Sequence, residues 1–226
     1  MRLGLISYDH PHLKTEQLVY KYLRDNRIED ITIFALPFKE RKKRHVKISH
    51  RPDMNAGIPT SCLAELQNVH FRHWDGKEII GDYCDLFVIG GAGILDVNCM
   101  KNKPVVNAHP GIIPMTRGLD AFKWAIYNGD PVGVTLHLIE AQVDNGIILS
   151  LEHTKVFSAD TICTLARRHY ELEIEMLANV LDVLSKRVTS PYKEGPATMR
   201  MSSALESEVI QRFDDWKEAV LGDGPE

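Results

Sequence analysis

Cysteine is scarce in this chain, and the pattern of the few cysteines indicates neither a disulfide framework nor a zinc site. The 226 residues contain four, at positions 62, 84, 99 and 163, with no CxxC pair and no histidine pair at zinc-finger spacing. No apolar run approaches the ~18 residues of a membrane-spanning helix. The first residues, MRLGLISYD, do not resemble a signal peptide. We therefore expect a cytoplasmic protein with free thiols and no membrane partner.

The chain also has no excess of positively charged residues. Lys and Arg number 27 against 31 Asp and Glu, so the formal net charge is -4, which disfavours a nucleic-acid partner. Apolar residues make up 44% and charged residues 26%, which excludes a disordered chain, a collagen and a coiled coil. A chain of this length fits one domain with a small appendage.

Glycine is missing where a nucleotide fingerprint requires it. A GxGxxG motif should follow the first strand, but the first loop here reads SYDHPH at 7–12, and the chain contains no GxxxxGK[ST]. Classical NAD and ATP sites are thereby disfavoured. The glycines at 90, 91 and 93 follow a later strand, where we expect them to let backbone approach a ligand.

Alternating short apolar runs and amphipathic stretches predict an α/β fold. The predicted strands are 3–6, 31–36, 69–71, 86–89, 105–108, 133–139 and 147–151, and the predicted helices are 13–25, 119–128, 160–185 and 204–221. Their order favours a mainly parallel, twisted sheet with helices on both faces, and an antiparallel element near 133–151, where the connection is too short for a crossover. Asp160 is the expected N-cap of the longest helix.

The composition changes after Ser190, at Pro191, Gly195 and Pro196. We therefore expect a main domain over 1–190 and a C-terminal appendage over 191–226, formed by an extended stretch and a helix. The apolar positions of that helix need a covering surface, and the chain itself or a homodimer contact are the two alternatives. These positions are Ile210, Phe213, Trp216 and Val220.

The most informative segment is VVNAHPGIIP at 105–114. Side chains two apart on a strand point the same way, so Asn107 and His109 should project together from the carboxyl end of a strand, where open α/β sheets bind ligands. An amide donor beside an imidazole can stabilise an oxyanion and move a proton. Downstream, His137 lies on the strand face opposite Val134 and Leu136. Asp144 follows in a loop from which a carboxylate can orient His109.

These residues bring the segment 86–150 close to a known family. The runs NAHPGIIP (107–114), GVTLH (133–137) and VDNG (143–146), together with Gly118 and Ala121, resemble the folate-dependent formyltransferases. The resemblance implies a Rossmann-like fold, a 10-formyltetrahydrofolate co-substrate and no metal. It implies that Asn107, His109 and Asp144 are the catalytic residues. A charged His109 and Asn107 would hold the tetrahedral oxyanion, while Asp144 keeps His109 charged.

The same resemblance implies further roles. His137 would support the catalytic residues from behind. The folate pocket would be formed by the loops 91–95 and 140–144 and by two isoleucines, that is by Gly91, Gly93, Ile94, Leu95, Ile112, Ile113, Glu140, Val143 and Asp144.

The positions at which this chain differs from members of the family limit which amine can accept the formyl group. The glycinamide ribonucleotide enzyme cradles a phosphate in a glycine-rich first loop, where this chain has Asp-His-Pro-His. The methionyl-tRNA enzyme has a C-terminal barrel domain, and the formyltetrahydrofolate hydrolase has an N-terminal regulatory domain; neither is expected here. The branch that remains formylates nucleotide-linked amino sugars.

The basic stretch 39–53 and the histidines of the first loop are the candidate contacts to such an acceptor, namely His10, His12, Lys43, His50 and Arg51. Three alternatives stay open: hydrolysis of the formyl donor, transfer to another small amine such as glycinamide ribonucleotide, and a folate-binding protein without catalysis.

Overall fold

The computed structural model describes residues 1–40, 45–139, 145–186, 190–193 and 197–222. Eight strands in these ranges are β1 (Arg2–Tyr8), β2 (Asp30–Leu36), β3 (His70–His73), β4 (Leu86–Ile89), β5 (Val105–His109), β6 (Gly133–Leu138), β7 (Asn145–His153) and β8 (Ser190–Lys193). The helices are α1 (Leu13–Tyr22), α2 (Thr60–Gln67), α3 (Ala121–Asn128), α4 (Ile162–Ala178), α5 (Val180–Lys186) and α6 (Ser203–Gly222).

All eight strands belong to one sheet in the order β3-β2-β1-β4-β5-β6-β7-β8. The first five in that order are parallel neighbours, and β6, β7 and β8 add antiparallel pairs. This confirms the α/β fold class, with its parallel sheet and the antiparallel element near 133–151.

Period-2 alternation of apolar residues gives the sheet two buried faces. On β1, Leu3 and Leu5 pack in the cluster formed with α1, α2 and α4, while Ile6 belongs to a second cluster with Phe34 and Trp74. A 3-10 helix at Val97–Met100 contributes to that second cluster. Because the central strands are covered on both sides, their functional groups are confined to the ends.

The long C-terminal helical stretch differs from the prediction in two ways. It is two helices rather than one, because α4 ends at Ala178 and the backbone of the next residue, Asn179, leaves the regular helical range at φ -92° and ψ 17°. The N-cap is Thr161 rather than Asp160, since Thr161 Oγ1 accepts from the Thr164 N–H in a capping box. Asp160 instead pairs with Arg168, with N–O distances of 2.7 and 2.8 Å.

The final helix α6 shares a core with α3 and the first half of α4. Phe213 and Trp216 are buried there among the α3 side chains, and Lys123 of α3 forms a buried ion pair with Glu206 of α6, Nζ to Oε1 2.6 Å. Ile210 is 46% exposed. Most of the apolar face of α6 is thus covered within the chain, and the division into a 1–190 domain and a 191–226 appendage stays a prediction.

Candidate active site

The register of β5 against β6 places the two predicted catalytic side chains beside two polar partners. Asn107 lies directly opposite His137, and His109 opposite Thr135. Asn107 Nδ2 is 3.2 Å from His137 Nε2. Asn107 and His109 therefore share one face of the sheet with His137 and Thr135.

His137 accepts the hydrogen bond from the Asn107 amide. Burial, with a further contribution from nearby His109, lowers the pKa of His137 to about 4, so the ring is neutral near pH 7. Because an amide nitrogen only donates, Nε2 is the ring nitrogen that carries the accepting lone pair. The contact holds one Nδ2–H of Asn107 and leaves the other N–H to donate elsewhere. This is a physical basis for the supporting role that the resemblance implies for His137.

His109 is held by the loop that follows its own strand. Its Nε2 is 2.8 Å from the carbonyl oxygen of Thr116, and because a carbonyl only accepts, Nε2 carries the proton. Burial lowers the pKa of His109, partly opposed by the Thr116 bond and by the Glu173 carboxylate. The neutral imidazole therefore keeps a lone pair on Nδ1. The charge that the resemblance assigns to His109 depends on Asp144, which lies outside the described residues.

The loop 110–116 is folded back over His109 by two buried threonines. Thr135 Oγ1 donates to the Gly111 carbonyl at 2.7 Å and accepts from the Ile113 N–H at 3.0 Å. Thr116 Oγ1 accepts from the Ile112 N–H at 2.9 Å. A Cβ on Gly111 would lie 2.8 Å from His109 Nε2, so only glycine fits there.

The predicted folate residues are partly described. Glu140, Val143 and Asp144 lie outside the described residues. Ile94 is fully exposed, and Gly93 has open space around it. Ile112 and Ile113, in contrast, are buried at 6% and 4% exposure. The loop after β4, with Leu95 half-buried beside Ile94, thus offers an apolar surface that suits a flat ring.

A buried ion cluster next to this site was not predicted from the sequence. Glu173 of α4 contacts Lys14 of α1 (Nζ to Oε1 2.7 Å) and Arg51 (Nη2 to Oε2 2.8 Å). We call these three residues the Glu173 cluster. Burial opposes ionisation of Glu173, but Arg51 and Lys14 outweigh it and hold its pKa at about 2. The cluster joins α1 to α4, which pack against each other on the same face of the sheet.

Of the five predicted acceptor contacts, the four that the structure describes are divided between two cavities. His10 and His12 line one cavity of about 700 Å³ at the ends of β1, β2 and β4, whereas His50 and Arg51 line another of about 380 Å³ between α1 and α4. His50 stacks on Phe122, with ring centroids 6.2 Å apart. Lys43 lies outside the described residues. Arg51 is thus engaged by Glu173, and it does not share a cavity with His10 and His12.

His12 is the most constrained residue of the first loop. Its Nδ1 lies 2.8 Å from Thr15 Oγ1, which is 2.6 Å from Ser7 Oγ. A Cβ on Gly91 would lie 2.7 Å from the His12 ring, so the loop after β4 packs directly on this imidazole. Burial and nearby Lys14 lower the pKa of His12 to about 4, which makes it a neutral group.

Within the described ranges, no group of three or more His, Cys, Asp or Glu side chains is arranged to hold a metal ion. None of the helices in that part of the chain combines the length and apolar character needed to cross a membrane.

Comparison with known proteins agrees with this geometry. Residues 94–181, which contain β5, β6 and α4, match the model of the formyl transferase family. A methionyl-tRNA formyltransferase of Anaplasma marginale is 30% identical over 168 residues, which span 70% of this chain and 55% of that protein. A dTDP-4-amino-4,6-dideoxyglucose formyltransferase of Mycobacterium tuberculosis is 28% identical over 132 residues, 54% of this chain and 55% of that protein.

The fold has a solved counterpart in an N-formyltransferase from Helicobacter canadensis, crystallised with folinic acid and dTDP-3-aminofucose. The TM-score is 0.63 at 15% identity, and the match covers 96% of this chain and 81% of that one. The chain spans about half the length of the curated relatives that it matches. The matched segment, the fold and the motif around Asn107 and His109 agree, and the chain contains a domain of the formyl transferase family over residues 94–181.

Proposed function

We propose that the protein transfers a formyl group from 10-formyltetrahydrofolate to the primary amine of a nucleotide-linked amino sugar. The observation that carries the proposal is the pairing of Asn107 and His109 on one face at the carboxyl end of β5, where one hydrogen bond to a described residue holds each side chain in place. An amide donor beside a neutral imidazole is the equipment for acyl transfer without a covalent enzyme intermediate.

In the proposed reaction, the acceptor amine attacks the formyl carbon and the carbonyl electrons move to oxygen. The second Nδ2–H of Asn107 donates to that oxyanion. His109 takes the proton of the attacking amine on Nδ1, and the imidazolium then returns a proton to the folate nitrogen as its bond to carbon breaks. This sequence starts from neutral His109, in agreement with its lowered pKa, and Asp144 is proposed to stabilise the imidazolium.

The first loop supports an acceptor without a terminal phosphate. In doubly wound folds, a phosphate binds at the free N-terminus of the first helix. Here a Cβ on Gly57 would lie 2.6 Å from the Leu13 backbone nitrogen, so residue 57 packs directly on that turn of α1. His12 beside it is neutral. Both features disfavour glycinamide ribonucleotide, and they are compatible with a sugar linked through an internal diphosphate.

The test is release of tetrahydrofolate from 10-formyltetrahydrofolate by the full chain. The acceptors are a panel of dTDP- and UDP-linked amino sugars, with glycinamide ribonucleotide and charged initiator tRNA as comparison acceptors and a reaction without amine as the blank. Asn107→Ala runs alongside. We expect release that requires one amino sugar and is lost in Asn107→Ala.

Release that requires glycinamide ribonucleotide or the tRNA would contradict the proposed acceptor and keep formyl transfer. Release at the same rate without any amine would replace transfer by hydrolysis of the donor. If Asn107→Ala retains full activity, the assignment of the site is wrong.

A further inference from the structure

Four aromatic rings line the cavity of about 700 Å³ that contains His10 and His12. His10 and Phe38 stack with centroids 4.0 Å apart and an interplanar angle of 4°. Tyr8 meets Phe38 edge-on at 5.6 Å and His12 edge-on at 6.1 Å. Phe38 is 36% exposed although it is a large apolar side chain. The stacked pair therefore presents aromatic surface to the cavity rather than to the core.

The cavity lies at the same edge of the sheet as Asn107 and His109, several strands away. Most of its lining residues lie at or just after the carboxyl ends of β1, β2 and β4, and all of these strands are parallel to β5. With the strand order β2-β1-β4-β5 and ~4.8 Å between neighbours, Phe38 at the end of β2 is about 14 Å from the end of β5. A ligand with one end at His109 must be elongated to reach it.

The charges around the cavity favour an uncharged ring at this position. Lys39 and Asp75 both line it, so their charges offset each other, and His12 is neutral. Asn55 and Asp75 supply polar atoms at the rim, and Asp75 Oδ1 already accepts from the Lys77 and Glu78 N–H groups. Flat aromatic rings stack well on such a surface, and every nucleobase has the required π-face.

We propose that the exposed His10–Phe38 pair stacks against the nucleobase of the acceptor. The inference rests on the proposed function and deepens it. An amino sugar, a diphosphate and a ribose placed end to end bridge roughly the same three strand spacings that separate β5 from Phe38. The amine then lies at His109 and the base lies in the cavity. The flat ring of the folate is a different occupant, for which the resemblance implies a pocket formed by the loops 91–95 and 140–144 with Ile112 and Ile113. Gly93 of the first of these loops also lines the cavity.

The experiment measures binding of dTDP and UDP to the full-length protein by calorimetry, without any donor. The variants are Phe38→Ala, Phe38→Tyr and Phe157→Ala. Phe157 is a matched control because it is 51% exposed and its ring faces Arg168, away from the cavity. We expect Phe38→Ala to weaken binding of the diphosphate about tenfold, the scale of one lost stacking contact. Phe38→Tyr and Phe157→Ala should bind as the wild type does.

Binding and transfer separate the two proposals. If the wild type binds a nucleoside diphosphate and Phe38→Ala does not, while no amino sugar is formylated, the base site stands and the proposed function fails. If an amino sugar is formylated with the same acceptor KM in wild type and Phe38→Ala, the function stands and the base site is overturned. Absence of nucleoside diphosphate binding by the wild type, or a rise in the KM of the folate alone, also overturns it.

Discussion

The antiparallel half of the sheet (β5 to β8) and its parallel half (β1 to β4) position their functional residues in different ways. On the antiparallel side, backbone pairing between β5 and β6 sets Asn107 opposite His137 and His109 opposite Thr135. On the parallel side, the lining residues come from loops, such as the segment with His10 after β1 and Phe38 after β2. Strand register is fixed by a ladder of hydrogen bonds, whereas a loop is fixed only by what packs on it. The positions of the proposed catalytic residues thus depend on strand register, whereas the proposed nucleobase site depends on the conformations of loops.

The largest expected effect is a loss of stability when the buried ion cluster between α1 and α4 is broken. Glu173 on α4 holds Lys14 on α1 and Arg51 together. Glu173→Met leaves two cations without their carboxylate, and we expect it to lower the free energy of unfolding by about 3–5 kcal/mol. Lys14→Met should cost less, because Glu173 keeps Arg51. Urea denaturation gives both values.

Lys21→Met is the matched control for these variants. Lys21 and Glu175 also link α1 to α4, at 2.7 Å, but both side chains are well exposed, so the loss should stay below about 1 kcal/mol. If Lys14→Met costs as much as Glu173→Met, the Glu173 cluster does not act as a carboxylate shared by two cations.

The second effect separates turnover from binding. Asn107→Ala removes one proposed donor to the oxyanion, so we expect kcat to fall about 10²–10³-fold with the acceptor KM changed only slightly. Phe38→Ala should do the opposite and raise the acceptor KM at nearly unchanged kcat. Steady-state kinetics with the accepted amine provides both constants. Asn26→Ala, at an exposed position, is the control, and a large KM effect in Asn107→Ala would remove the contrast between the two sides.

The sequence predicted the antiparallel side better than the parallel side, for a physical reason. Alternation with period 2 sorts Asn107 and His109 onto one face without knowledge of the rest of the chain. The Glu173 cluster joins residues 159 and 122 positions apart. Helical spacing places Glu173 on the buried face of α4 with Ala166 and Leu177, but it does not identify the distant cations that pair with the carboxylate. The contact of His10 with Phe38 likewise requires the pairing of β1 with β2 and the loop conformations after them, which no local pattern encodes.

Acid should destabilise the protein through its buried neutral histidines. Burial lowers the pKa of His169 to about 4 from 6.5, although nearby Glu173 opposes the shift. As the pH falls from about 6.5 to about 4, the unfolded chain takes up the proton that the folded chain refuses, so the free energy of unfolding falls by up to ~3 kcal/mol for one such group. His12 and His137, with pKa values near 4, add in the same window.

Thermal unfolding between pH 7 and pH 4 measures this loss. His169→Gln should make the decline in Tm shallower, since one titrating group is gone, while His153→Gln at an exposed position should leave the slope as it is. Equal slopes in the wild type and His169→Gln would show that His169 does not contribute to the acid sensitivity.

The smallest expected effect concerns Asn107 and His137, which lie opposite each other on β5 and β6. His137 accepts from Asn107 Nδ2 at 3.2 Å, so His137→Leu leaves the amide free to rotate, and we expect kcat to fall by about tenfold, the equivalent of ~1.4 kcal/mol. His137→Gln supplies a carbonyl oxygen as a new acceptor and should recover part of that loss. Because His137 is not assigned to substrate binding, the KM of the donor and the KM of the acceptor should stay within about twofold of the wild-type values in both variants. Equal kcat in the two variants would mean that His137 acts through packing alone, and a change confined to KM would place it in contact with a substrate.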